Sequence, residues 1–260
     1  MDWVKAKNYT IIVLVILNIV LLGLNIYKSF DTRLSYSRIN SLNALLKDDN
    51  ITLSSKLPRS YKPMAEINAS EYSFDHIKLQ KIFFAGQNNV KRTEEYNSVI
   101  FMSDTSRLSL KGSSINYTTT LSYSINNEEK AKEYAAQLVN DINNEFGKFK
   151  FYSISSANDE YIIKYYENRE GYNIFSNFIY FTIKGNNASI ALNYVKLGSV
   201  IDTKNNIYAA DEALYSAVKS IKKEEEKPVI TDVKLGYYAM KVNSAGEVVA
   251  VPFYLINASN

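Results

Sequence analysis

The chain has 260 residues, 46% of them hydrophobic, with no cysteine and a single histidine. It is therefore long enough for one large or two small cores, must fold without disulfides, and cannot assemble a zinc site from several His or Cys ligands. Thirty basic and 27 acidic residues are interspersed to a net charge of +3, which leaves no basic face long enough to track nucleic acid.

The first element is the uncharged run from Asn8 to Tyr27, Ile, Val and Leu almost throughout between Ile11 and Leu24. Twenty residues at about 1.5 Å each match a hydrocarbon core of about 30 Å. Tyr9 and Tyr27 sit at its ends, with Lys5, Lys7 and Lys28 outside them, as interfacial anchors do. A cleaved secretory signal would share the basic start, but no small-x-small site follows Leu24. The sequence thus predicts a membrane anchor. Flanking charge is balanced across the span, so orientation follows from the size of the remainder and the absence of cysteine. The tail is expected in the cytoplasm and the rest outside the cell membrane.

Beyond the anchor, Leu34, Ile39, Leu42, Leu45 and Leu46 recur at near-helical spacing and predict a juxtamembrane amphipathic helix continuous with the span. Leu57-Pro58 to Pro63 reads as an extended linker. A strand is expected from Met64 to Ala69, and a helix carrying Phe74, Ile77, Ile82 and Phe83, capped by Ser70 or Ser73. Ser98–Met102, Ser106–Leu110 and Ile115–Ser124 alternate as an antiparallel meander. The clearest helix starts at Asn126 with Glu129 as a capping box, and turns Ala131, Tyr134, Ala135, Leu138, Val139, Ile142 and Phe146 inward.

Four strands follow at Phe149–Ser155, Glu160–Glu167, Ile174–Lys184 and Ala188–Leu197, spaced for hairpins and not for parallel crossovers. A helix from Ile207 to Lys222 ends at Glu224-Glu225-Glu226-Lys227-Pro228, and strands Val229–Val242 and Val248–Ile256 close the chain. Pro252 marks an edge or a bulge in the last of these. The fold class is α+β: an N-terminal transmembrane helix, then an extracytoplasmic region of antiparallel β-meanders packed with helices. Its divisions are tail and anchor (1–30), juxtamembrane helix and linker (31–63), a first α+β unit (64–125) and a second (126–260). The inward faces of both long soluble helices lie between Lys56 and Asn260, so that fragment is expected to fold alone.

Chemistry is hard to find in this sequence. His76 stands beside Asp75 with no serine elbow or thiol to activate, and the glycines are solitary and make no phosphate loop. A carboxylate pair such as Glu94 and Glu95 has no supporting spacing. No catalytic residue, cofactor site or metal site is assigned. Inside the span, Asn18 and Asn25 are seven residues apart and fall within about 20° on one helical face. With Leu14, Leu21 and Leu22 around them they form a stripe suited to another membrane helix, because an amide facing lipid lacks a partner. A competing class is a tethered module whose strands around Ile174 to Leu197 cradle a peptide or cell-wall fragment.

Met1-Asp2-Trp3-Val4-Lys5-Ala6-Lys7 running into Ile16-Leu17-Asn18-Ile19 resembles the start of YycI proteins. Ala213-Leu214, Ile230-Thr231-Asp232-Val233-Lys234-Leu235-Gly236-Tyr237-Tyr238 and Val251-Pro252 are similar to that family's closing pattern. The resemblance implies a non-enzymatic regulator of a WalK (YycG) sensor kinase, a two-component system of Gram-positive bacteria. It would act with a YycH-like protein through membrane helices to tune cell-wall gene expression.

Overall fold

The computed structural model describes residues 3–87, 89–220, 228–241 and 248–259. Two compact units result, Met1–Met64 with Asn205–Lys234 and Ile256–Asn260, and Ala65–Lys204 with Leu235–Leu255.

The first unit begins with α1, a 29-residue helix over Trp3–Asp31, and α2 over Tyr36–Asp48. The two are not continuous. Thr32 to Ser35 leave the helical path, and Ser35 caps α2 by accepting from the Arg38 amide. Arg33 and Ser60 form an antiparallel bridge, the Leu34 amide donates to the Arg59 carbonyl at 2.7 Å, and the Tyr61 amide donates to the Thr32 carbonyl at 3.1 Å. Leu34 is fully buried. The segment expected as an extended linker is extended, and through the isolated bridge at Ser60 and its neighbouring backbone bonds it grips the exit of α1, its prolines keeping it extended for that role.

Within α2, Leu42 and Leu46 are buried, whereas Leu45 stays exposed. Helix α5, Ala210–Ser220, turns Ala210, Leu214 and Val218 inward as its spacing predicts. The acidic exit Glu224-Glu225-Glu226-Lys227 and the expected helix end at Lys222 lie outside the described residues. Arg38 ties the two helices with a fork onto Asp211, both bonds 2.8 Å, and a third bond to Glu212 at 2.8 Å. The two-residue strand β1, Thr52–Leu53, runs parallel to Val229–Ile230. Since α2 and β1 belong to this unit, a fragment starting at Lys56 would strip it, and a soluble fragment should start at Thr32.

Most of one sheet lies in the second unit. Its strands are β2 (Met64–Glu71), β3 (Lys91–Glu95), β4 (Ser98–Met102), β5 (Ser106–Lys111), β6 (Ser114–Ile125), β7 (Phe149–Ala157), β8 (Glu160–Arg169), β9 (Tyr172–Asn193), β10 (Val195–Asn205), β11 (Val229–Lys241) and β12 (Val248–Ser259). The order is β10-β2-β12-β11-β9-β6-β5-β4-β3, with β8 also on β9 and β7 on β8. The expected meander of β4 to β6 is present. Pro252 is not on an edge strand; β12 lies between β2 and β11, and its register with β2 runs from Val248 to Ala250.

Two expectations are overturned here. Ile174–Lys184 and Ala188–Leu197 are not a hairpin, because β9 is one strand of 22 residues that passes through Gly185-Asn186-Asn187 without reversing. It pairs with β8 as far as Lys184, then with β6, which bulges between Thr120 and Ile125 to meet the bend. Gly185, at φ +59°, supplies that bend. Nor is the sheet purely antiparallel: β11 runs parallel to β9, with Gly236 opposite Asn173.

Helix α4, Glu128–Glu145, is capped by Asn127, one residue later than expected, and lays Ala131, Ala135, Val139 and Ile142 into the core. Small residues at these steps let it sit close on Ile163, Ile179, Phe181 and Ile190 of the sheet. Helix α3, His76–Phe83, is capped by Asp75 and not by a serine; Leu79 and Phe83 face inward and Ile77 faces out. A fully buried Leu or Ile in this cluster contributes about 1.5–3 kcal/mol.

Strand β9 also bulges against β8 beside Glu167, and the side chains there repair the broken ladder. Fully buried Asn177 accepts from the Val195 amide at 2.9 Å and donates to the Val195 carbonyl at 2.8 Å, while Ser176 accepts from the Ala239 amide at 3.1 Å. The motif glycine Gly236 has an equally local cause. A Cβ there would lie 2.3 Å from the Asn173 carbonyl oxygen, so only glycine lets β11 approach β9. Replacing Gly236 by alanine should cost about 1–3 kcal/mol in urea unfolding of the chain from Thr32 onward. An unchanged midpoint would mean that β11 does not pack on β9 in this register.

Candidate interaction face on the N-terminal helix

The stripe residues Leu14, Asn18 and Leu21 follow one another by four and three positions along α1, and Leu22 lies beside them. Leu14, Leu21 and Leu22 are about half exposed or more, as are the other described apolar residues from Ile11 to Leu24. Asn25 is helical, but its side chain lies outside the described residues. Over the described residues alone, no helix is long and apolar enough to cross a membrane; the flanks that complete Asn8–Tyr27 fall outside that set.

The Asn18 amide donates back to the Leu14 carbonyl at 2.9 Å. One N–H is thus satisfied within the helix, which lowers the cost of placing the amide among apolar side chains. An asparagine amide has a second N–H and a carbonyl, which a second helix can bond. The arrangement offers one directional polar contact within a smooth apolar surface.

Among the described residues no comparable constellation appears for catalysis. His76 opens α3 and sets its ring edge-on against Phe101, centroids 5.7 Å apart, beside a cleft lined by Glu71, Arg92, Glu94 and Glu95. Arg92 is paired with Glu94. Among the described residues no group of three or more His, Cys, Asp or Glu side chains is placed to hold a metal ion. A second cleft, about 440 Å³, opens at the bend of β9 and gathers Thr118, Thr120, Thr182, Lys184, Asn187 and Ser189.

What the sequence reading missed is the set of contacts behind α1. The Arg33–Ser60 bridge, buried Leu34, and Arg59 with its guanidinium 4.0 Å from the Tyr36 ring centre lie directly beyond the helix. Their only signal was the proline-bounded extended stretch around Arg59. The Arg38–Asp211 fork joins residues 173 positions apart, for which one sequence carries no signal.

Residues 31–260 match the pattern that defines the YycI protein family. An uncharacterized protein from Eubacterium rectale ATCC 33656, known from its crystal structure, is similar at a TM-score of 0.52 and 13% identity over 81% of this chain and 82% of that one; the likeness concerns the fold alone. No curated protein matches. A long N-terminal helix followed by an α+β region is the architecture of this chain. The chain belongs to the YycI family, a regulatory family of the YycG (WalK) kinase system and not a known enzyme family.

The titratable group that burial perturbs most usefully is Glu167. Burial raises its carboxyl above the ordinary range, against the Asn177 amide, Arg169 and Lys148, which lower it. A raised folded-state value means that the folded chain holds a proton the unfolded chain has released, so stability falls as pH rises through the interval between the two values. Glu167→Gln should remove that slope and be more stable than the wild type at neutral pH, the two converging near pH 4. Parallel pH dependences of thermal midpoint would show that Glu167 is solvated.

Proposed function

We propose that this chain is a single-pass, membrane-anchored, non-enzymatic regulator of a WalK (YycG)-type sensor kinase, acting with a YycH-like protein through α1 to tune cell-wall homeostasis. Helix α1 is the span, with the N-terminal tail cytoplasmic and the region after Asp31 extracytoplasmic. Its 29 residues correspond to about 43 Å of helix, enough for a bilayer's hydrocarbon core. The observation that carries the reading is Asn18 in mid-run, half satisfied by its own helix and framed by Leu14, Leu21 and Leu22. A bitopic partner biases a two-state kinase only by packing differently against its two states, and such a stripe is a surface that can do so.

A second reading, a tethered binding module for a peptide or cell-wall fragment, draws on the hydroxyl-rich cleft at Thr182 to Ser189. One experiment separates the two. Replacing Asn18 and Asn25 together by leucine should preserve insertion while weakening two-hybrid association with the kinase and the YycH-like protein. Each lost interhelical amide contact is worth roughly 0.6–2 kcal/mol, or about threefold to thirtyfold in affinity. If the double variant associates and regulates as the wild type does, the stripe is not the interface, and the cleft becomes the better candidate.

A further inference from the structure

We infer that Arg59 is a positioning residue that joins α1 rigidly to the rest of the first unit, so that a tilt or rotation of the helix is passed on to α2 and is not absorbed by a tether. This role deepens the proposed function and rests on it; the geometry that supports it involves only this chain.

No residue separates the end of α1 from the grip. Asp31 is the last helical residue, and the Thr32 carbonyl already accepts from the Tyr61 amide. Two residues on, Leu34 is fully buried and its amide is bonded to the Arg59 carbonyl. A flexible linker needs several residues to lose orientational memory, and none are available here.

Arg59 closes the junction from both sides. Its backbone carbonyl takes the Leu34 amide, while its Nε and Nη2 both reach the Leu34 carbonyl at 3.4 Å. The same guanidinium lies over Tyr36, the first residue of α2. One side chain therefore touches the connector and the next helix together. From α2 the path continues through the Arg38 fork to Asp211 at the start of α5. A lysine at position 59 would keep the charge but lose the planar fork that makes both contacts.

The chain has no cysteine, so paired labels can be introduced without background. Leu24→Cys on α1 and Asn43→Cys on α2, both exposed, would carry spin labels in the full-length protein in lipid nanodiscs. The wild-type background should give a narrow distance distribution. Inserting Gly-Ser-Gly-Ser between Asp31 and Thr32 should broaden it roughly twofold or more. Arg59→Ala and Arg59→Lys should each broaden it part of the way, with far-UV spectrum and thermal midpoint unchanged. A wild-type distribution as broad as that of the insertion variant, or Arg59 variants as narrow as the wild type, would overturn the assignment. Because these widths need no kinase, a narrow wild-type distribution alongside unaltered kinase output in the insertion variant would support the coupling and count against the regulatory reading instead.

Discussion

The second unit depends on the pairing demands of β9. Its first half must satisfy β8 on one side and β11 on the other, and its second half must satisfy β6. No straight strand of 22 residues meets all three, because strands twist and registers drift apart. The strand therefore bends at Gly185 and bulges beside Glu167. Buried Asn177 and Ser176 accept the backbone donors that the bulge and the neighbouring strands would otherwise leave unpaired. Asn177 and Ser176 are polar for this reason, and the partly buried Glu167 carboxylate accepts from the Asn177 amide.

The first unit depends on a different kind of constraint, the route by which the chain leaves α1. Burial of Leu34, two backbone bonds and the contacts of Arg59 fix that route, and the charge-assisted Arg38 fork carries it to α5. Asp211 and Glu212 lie in the first turn of α5, where carboxylates also favour the positive end of the helix dipole.

Much of the fold was legible in the sequence because local chemistry and burial agreed. Strands β5 and β6 alternate along most of their length, α4 carries its inward face at steps of three and four, and the α5 spacing picks out buried Ala210, Leu214 and Val218. The failures share a physical cause, the dominance of tertiary partners over local pattern. Gly185-Asn186-Asn187 has turn chemistry, yet β6 bulges to pair with it and keeps the strand going. Lys91 to Glu95 has no apolar period, being exposed throughout, and is a strand only because β4 offers an edge. In α3 the short apolar set admitted two phases, and Asp75 fixed the one that turns Ile77 out. Parallel pairing of β11 with β9 leaves only a glycine as its trace. The junction at Arg59 arises from chain crossings that periodicity does not encode.

The central claim is that α1 acts as a recognition and coupling element and not merely as an anchor. Its most direct test exchanges residues 8–27 for an unrelated apolar span of equal length that lacks asparagine, leaving residues 1–7 and everything from Lys28 onward intact. The account predicts a chimera that inserts, folds and reaches wild-type abundance, yet fails to co-purify with the kinase in mild detergent and leaves the kinase-dependent reporter at the level of a deletion strain. A chimera that co-purifies and regulates as the native chain does would contradict it, and would place the interaction in the region beyond the helix.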